Sequence, residues 1–492
     1  MNESIREQII KELIAIRCNE AFALHEDHFY NKISKKHSVP IPYKEIYRIM
    51  PPRRCWKTLN AYKRRCMSPT QVNAKRLYYT IKDENISGRW RIELNEFINR
   101  VIKKFITGNI SKPKIVFLPK DKETFRPLSL YKLEDRVYIN LLARQITDKI
   151  DCHFQDTATA FRSSAYRKRT GIKNHHLAAS KVWNYIQRRA NTPLHCLEVD
   201  IKGFYDNVEK PLALELLAKI TQQDDVRLVK KILDTYSYQE CFSSAVKCKK
   251  PIKKHSVMHT NKGIPQGGAI SCLLANVYLN DLDIAAQKYS KAFYIRYCDD
   301  IIFISPDPAD TEAFFNDYVS IMNQLQLEHH PLKRITEYNK DFYASKSKAY
   351  TFSQKIPWIS FLGYEYSFNG RIRIRKPSLT KEKENIKTFF GKIKELLIAE
   401  NSRFDYKDFQ RNKLRSIICK YQKRITGYNR GKNNHRAFSW SQGFQLINGK
   451  PIVKGQFKQL DKLLAKSFND IKLYPDPIYI DKEANYYNNI AN

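Results

Sequence analysis

The sequence predicts an α+β fold, with a central core of short strands and helices between two largely helical regions. Three observations predict it. From Lys112 to about Tyr366, short apolar runs rich in β-branched residues alternate with helix-length segments. Residues 1–110 read as mostly helical and strongly basic, and beyond Lys376-Pro377 the chain is charged and helix-periodic from Thr380 to Ala399 and again to about Phe468. Hydrophobic residues make up 42% and aromatics 12% of the 492 residues, values that build a sizeable core and exclude a disordered chain. The expected regions are therefore 1–110, 111–367, 368–470 and an irregular tail, 471–492, marked by Pro475, Pro477 and several Asn.

Taken in order, the basic region holds Arg53-Arg-Cys-Trp-Lys-Thr-Leu-Asn-Ala-Tyr-Lys-Arg-Arg65. There Arg53, Arg54, Lys63, Arg64 and Arg65 suit phosphates, and Trp56 suits base stacking. A solvated basic helix with inward-facing aromatics fits the same pattern. Ile115-Val-Phe-Leu118 reads as a strand, Lys120-Asp-Lys-Glu-Thr124 as a polar turn, and Phe125-Arg-Pro-Leu-Ser-Leu130 as the next apolar stretch. His195-Cys-Leu-Glu-Val-Asp200 is an apolar run that ends on an acid. Phe293 to Ile304 reads as a strand-turn-strand around Tyr297-Cys-Asp-Asp300.

That last segment carries the chemistry. Burying two adjacent carboxylates costs several kcal/mol unless a positive group compensates. Mg²⁺ suits the task, because it takes hard oxygen ligands and keeps positions for phosphate and water. With Asp200 on a neighbouring strand, Asp299 and Asp300 outline a two-metal phosphoryl-transfer site. An Asp-Asp pair is often a solvated turn, but the β-branched and aromatic flanks argue for a buried hairpin. Cys298 is expected to be a small packing residue.

Charge points to the partner. Against 50 acids stand 87 Lys and Arg, a net +37, which favours a polyanion. An anionic membrane is the weaker explanation, since no amphipathic basic helix, lipidation signal or run of about 18 apolar residues stands out. The ten cysteines include no Cys-x-x-Cys pair, so neither a zinc site nor a redox motif is expected. The first residues lack the apolar centre of a signal peptide, and a reducing cytoplasm is the expected location.

In this order the segments resemble the reverse transcriptases, and specifically the bacterial enzymes related to those of group II introns, over roughly residues 110–370. Phe125-Arg-Pro-Leu-Ser-Leu130 with Glu134-Asp-Arg136 resembles the fingers motif. Ser164-Ala-Tyr-Arg-Lys-Arg-Thr-Gly171 resembles a Ser-x-Gly-Phe/Tyr-Arg motif with Ala165 in place of glycine. Val199-Asp-Ile-Lys-Gly-Phe-Tyr-Asp-Asn-Val208 is similar to the first palm acid motif. Lys262-Gly-Ile-Pro-Gln-Gly-Gly-Ala-Ile-Ser271 resembles the Pro-Gln-Gly motif, with Cys272 in place of proline. Tyr297-Cys-Asp-Asp300 is a variant of Tyr-x-Asp-Asp, and Leu325 to Lys333 and Phe361-Leu-Gly-Tyr364 follow in the family's order.

The resemblance implies a right-hand polymerase fold with fingers, palm and helical thumb, and RNA-directed DNA synthesis with two Mg²⁺ ions, Mn²⁺ being an alternative. Its metal set would be Asp200 and Asp299, with Ile201 beside them and Asp300 either as a further ligand or as support to the geometry from just outside. Backbone amides from Ile201 to Phe204 would meet the triphosphate, and Lys120 or Lys122 with Arg126 would clamp its β- and γ-phosphates. Exposed turn charges remain the rival reading for the two lysines. Tyr205 falls at the sugar-gate position, with an ordinary core aromatic as its rival. Gln266 and Gly267 would meet the incoming nucleotide and templating pair, and Tyr166 and Arg167 the nucleic acid. Lys333 falls where a general acid for pyrophosphate departure is expected, with a surface lysine as the alternative.

The C-terminal third has one cysteine, Cys419, so no zinc-binding endonuclease module of the mobile-intron type is expected. Arg424-Ile-Thr-Gly-Tyr428 lies too far beyond Gly363 to match a retron enzyme. Phe438-Ser-Trp-Ser-Gln-Gly-Phe-Gln-Leu446 and Gln459-Leu-Asp-Lys-Leu-Leu464 look more like the defence-associated "unknown group" enzymes, types 2 or 9. That resemblance implies action against phage, a noncoding RNA as template or scaffold, dNTPs, a DNA product, and a homo-oligomer as one assembly. A decayed, non-catalytic RNA-binding protein is disfavoured by the three acids. Template-independent synthesis of the abortive-infection type stays open, as does protein priming from Tyr474, Tyr479, Tyr486 or Tyr487 in the tail.

Overall fold

Where β-branched and aromatic residues cluster, the chain forms strands. The structure is a computed structural model that describes residues 4–24, 45–60, 69–119, 124–172, 174–190, 192, 194–199, 201–250, 252, 261–329, 342–343, 358–367, 370–400, 444 and 451–470. Strand β1 (Lys114–Pro119) pairs antiparallel with β2 (Phe125–Leu130), Lys114 facing Leu130 and Pro119 facing Phe125. Pro127 is tolerated because this sheet has two strands, both of them edges. Ile115, Phe117 and Phe125 seat the hairpin on a small core of Tyr236, Tyr238, Cys241, Ala245 and Ile252.

The central sheet contains β3 (Leu194–Val199), β4 (Phe293–Tyr297), β5 (Asp300–Ser305) and β6 (Phe342–Tyr343), in the order β4-β5-β3-β6. The first two pairings are antiparallel and β3–β6 is parallel. Strands buried on both faces read as nearly continuous apolar runs, and β3 and β5 do. Their alternate residues feed two cores. Leu197, Val199, Ile301 and Phe303 join one, and Cys196, Ile302 and Ile304 join the other.

The first core includes helices Leu133–Ile150 and Ala269–Tyr278 and also the N-terminal helices Ile5–Leu24, Pro69–Lys82 and Arg89–Thr107. Glu12 reinforces that junction by accepting hydrogen bonds from Asn140 and Arg144, both at 2.8 Å. The basic N-terminal region is thus packed into the body of the molecule. The second core gathers helix His175–Arg188, the sheet β7 (Trp358–Phe361), β8 (Tyr364–Ser367) and β9 (Ile372–Ile374), and helices Lys376–Glu400 and Pro451–Asn469. Leu362 and Gly363 close β7–β8 with φ of 50° and 83°, a two-residue turn that fits the twist of the strands.

Strands at the centre and helices at both ends give the expected α+β class. The hairpin, central sheet and C-terminal helices follow the fingers, palm and thumb order of a right-hand polymerase. One local expectation fails. Arg53–Cys55 is a single 3₁₀ turn, and residues 56–60 carry no helix. Pro51 and Pro52 stand immediately before it, and proline holds the chain out of a continuous helix.

Candidate active site

Asp300 opens β5 opposite Tyr297, so Cys298 and Asp299 form the two-residue turn that joins β4 to β5. Both acids are half-buried. Cys298 has a φ of 58°, and it takes a turn position that usually needs glycine. Such a conformation in a residue with a side chain costs about 1–3 kcal/mol and persists only where the surroundings impose it. Arg296 Nη1 donates to the Cys298 carbonyl at 3.0 Å.

Next to this turn stands Tyr205, whose hydroxyl lies near the Cys298 side chain and the Asp299 carboxylate. Burial, with the Asp299 carboxylate adding to it, pushes the phenol well above its ordinary pKa, so it stays protonated. The Cys298 and Cys272 thiols are pushed up by burial to about 12. They are protonated and poor metal ligands at neutral pH. Asp299 and Asp300 thus supply hard carboxylate oxygens at a half-open turn, a donor set that suits Mg²⁺ or Mn²⁺. The last residue of β3, Val199, faces Ile301, the neighbour of Asp300.

The Pro-Gln-Gly segment joins β2 to the segment that carries Tyr205, since the Ile264 N–H donates to the Tyr205 carbonyl at 2.8 Å. Gln266 accepts the Ser129 N–H at its carbonyl, 3.0 Å away, and its side-chain amide donates to Asp206 Oδ1 at 2.5 Å. Gly267 has a φ of 91°, while an added Cβ would meet only Leu128 at 3.7 Å, so backbone conformation rather than space calls for glycine there. Arg126 is exposed on β2, opposite Leu118. Phe204 is buried and starts the short helix Phe204–Asn207, so it offers no side chain to a ligand. Ile201 is also buried, bridged to His329. The Lys202 amide donates to the Glu328 carbonyl at 2.8 Å, which removes it from the amides expected to meet a triphosphate.

Two expected nucleic-acid contacts are corrected. Tyr166 is 1% exposed, and its hydroxyl donates to the Asp156 carbonyl at 2.9 Å. Trp56 is 4% exposed, and its Nε1 donates to the Pro51 carbonyl at 2.9 Å. Neither ring has a face free for a base. Arg53, Arg54 and Arg167 are exposed. Asp200, Lys120, Lys122, Lys333, Lys63, Arg64, Arg65, Tyr474, Tyr479, Tyr486 and Tyr487 lie outside the described residues.

Sequence reasoning overlooked two groups at the site. One is the Arg296–Asp283 pair behind the turn, signalled only by a cation in the middle of an apolar strand. The other is a set of rings around Tyr297, with Phe161 at 6.5 Å and His175 at 6.1 Å between centroids. Phe161 is 49% exposed and has a φ of 53°. An exposed apolar ring held in a strained backbone beside two acids is a signal that only the structure gives.

Comparison with known proteins adds the following. The family model described as reverse transcriptase (RNA-dependent DNA polymerase) matches residues 110–366, more than half of the chain. The group II intron-encoded protein LtrA of Lactococcus lactis subsp. cremoris is 22% identical over 301 residues, covering 58% of this chain and 42% of that protein. LtrA of strain MG1363 gives the same values. The chain therefore spans less than half the length of the curated relatives it matches. Among solved structures, telomerase from Candida albicans in complex with a TWJ fragment of telomeric RNA has a TM-score of 0.39 at 12% identity, covering 78% of this chain and 67% of that one. Apo telomerase from Candida tropicalis has a TM-score of 0.36 at 11% identity, with coverages of 77% and 64%.

Proposed function

Since the chain belongs to the reverse transcriptase (RNA-dependent DNA polymerase) family, we propose that it copies a bound noncoding RNA into DNA by nucleotidyl transfer and serves in defence against phage. The observation that carries the catalytic part is the half-buried Asp299–Asp300 turn, with Tyr205 on one side and the Gln266–Gly267 segment beside it. When bound, two Mg²⁺ ions would activate the primer 3′-hydroxyl and stabilise the leaving pyrophosphate. Asp200, Asp299 and Asp300 would hold them. Arg126 meets the outer phosphates of the incoming dNTP, Tyr205 walls off a 2′-hydroxyl, and Gly267 lets backbone approach the new base pair. Lys333 supplies the proton to pyrophosphate.

The defence role rests on the C-terminal segments 438–446 and 459–464, and the RNA on the excess of 37 positive charges. The test is to incubate the purified chain with each dNTP, with and without co-purified RNA, and to sequence the products. Products complementary to a noncoding RNA support the reading. Copies of an intron would favour a group II intron-type enzyme, a second reading supported by the similarity to LtrA. Sequence-independent tracts made without RNA would reject templated copying.

Two further outcomes are expected. RNA affinity should fall by roughly 10³-fold or more between 50 and 200 mM salt, as counterions are released from phosphates. A salt-insensitive Kd in filter binding would remove the electrostatic argument. Phe161→Ala should weaken primer–template binding by about 5- to 100-fold, the value of one base–ring stack, without changing the melting temperature, because the ring is half in solvent. Unchanged affinity would leave Phe161 without that role.

A further inference from the structure

Behind the acid turn lies a buried ion pair. Arg296 and Asp283 are each 0% exposed. Arg296 Nε donates to Asp283 Oδ1 at 2.8 Å and Nη2 to Oδ2 at 2.5 Å, while the Tyr294 hydroxyl donates to Oδ1 at 2.8 Å. The remaining guanidinium nitrogen, Nη1, turns forward to the Cys298 carbonyl at 3.0 Å and to Asn276 Oδ1 at 3.3 Å. Arg296 is itself fixed by its backbone. Its N–H donates to the Thr157 carbonyl at 2.9 Å, and its carbonyl accepts the Thr159 N–H at 2.9 Å and hydroxyl at 2.8 Å.

Two buried charges are a costly way to fill a core, because well-packed apolar side chains of similar volume usually hold a fold as well or better. What apolar side chains lack is a donor for the Cys298 carbonyl. That carbonyl belongs to the strained residue immediately before Asp299, so its direction sets where the peptide and both carboxylates point. Asp283, in turn, orients the guanidinium by taking its other two nitrogens, which leaves only Nη1 to face the turn. A lysine has one ammonium and would fail to hold both ends.

We propose that Arg296, oriented by Asp283, is a positioning residue that locks the Cys298–Asp299 turn so that Asp299 and Asp300 present a preformed divalent-cation site. This rests on the catalytic reading above and deepens it. The full-length chain is titrated with Mn²⁺ alone, followed by electron paramagnetic resonance, and its melting temperature and dNTP kinetics are recorded.

The double variant Arg296→Met/Asp283→Leu keeps volume and removes the charges. It is expected to stay folded, melting somewhat below wild type because the buried Tyr294 hydroxyl loses its acceptor, and to need at least fivefold more Mn²⁺ for half-saturation. Its kcat should fall at least tenfold with the dNTP KM within twofold, since the nucleotide contacts lie elsewhere. Unchanged Mn²⁺ binding in a folded double variant overturns the proposal. Should the double variant fail to fold, Arg296→Lys decides. Fivefold weaker Mn²⁺ binding supports positioning, and wild-type binding overturns it. Wild-type protein that binds Mn²⁺ but incorporates no dNTP rejects the polymerase reading alone, and wild-type protein that takes up no Mn²⁺ overturns both.

Discussion

Replacing Asp299 and Asp300 together with Ala is expected to abolish DNA synthesis, a fall of at least about 10³-fold, and to leave the fold intact. The size follows from the chemistry. Nucleotidyl transfer gives the protein little covalent work, so almost all acceleration comes from positioning and charge stabilisation, and these carboxylates anchor both. The intact fold follows from the geometry. Both side chains are half-buried at a turn, and neither belongs to a hydrophobic core. Their loss opens no cavity and relieves repulsion between adjacent like charges. The melting temperature should stay level or rise slightly. Primer extension and a thermal melt on the same preparation check both halves. Synthesis within tenfold of wild type would remove the acids from the reaction, and a collapsed melt would show them to be structural.

The strands were the most legible part of the chain. The expected strand Ile115–Leu118 lies within β1, Phe125–Leu130 coincides with β2, and the acid pair sits on the turn that its apolar flanks require. Nearly continuous apolar runs mark β3 and β5 as buried on both faces, but nothing in them says that the two faces feed different cores. That depends on which helices arrive. The same gap explains Trp56 and Tyr166. A ring among cations looks alike whether it turns to a base or into the core, and only the tertiary packing decides. For Arg53–Cys55 the signal was present and underweighted, since two prolines precede the turn. Hardest to see was the Arg296–Asp283 pair. Its partners lie on a strand and a helix, and only the fold brings them together. Its effect acts through a backbone carbonyl, which leaves no mark in residue types.

Tyr205→Val is expected to raise the kcat/KM ratio of rNTP to dNTP by roughly 10- to 200-fold, the worth of about 1–3 kcal/mol of steric discrimination. A clash selects only when the wall holds still, and this one is held at two points. The Ile264 N–H donates to the Tyr205 carbonyl at 2.8 Å and fixes the backbone. The ring meets buried Phe204 edge-on, with centroids 5.2 Å apart. The hydroxyl lies near Cys298 on the acid turn. A ring so held rejects a 2′-hydroxyl by its bulk, while valine leaves room for one. Tyr205→Phe separates bulk from the hydroxyl. It keeps the ring, so its sugar discrimination should stay within about threefold of wild type, even if the turn loosens and kcat drops. Competition between each rNTP and its dNTP on one primer–template measures the ratio. The gate assignment fails if valine leaves the ratio unchanged, for Tyr205 is then packing like its neighbour. Loss of selectivity in the phenylalanine variant alone would instead locate discrimination in the hydroxyl, because the ring would still stand where the 2′-hydroxyl has to pass.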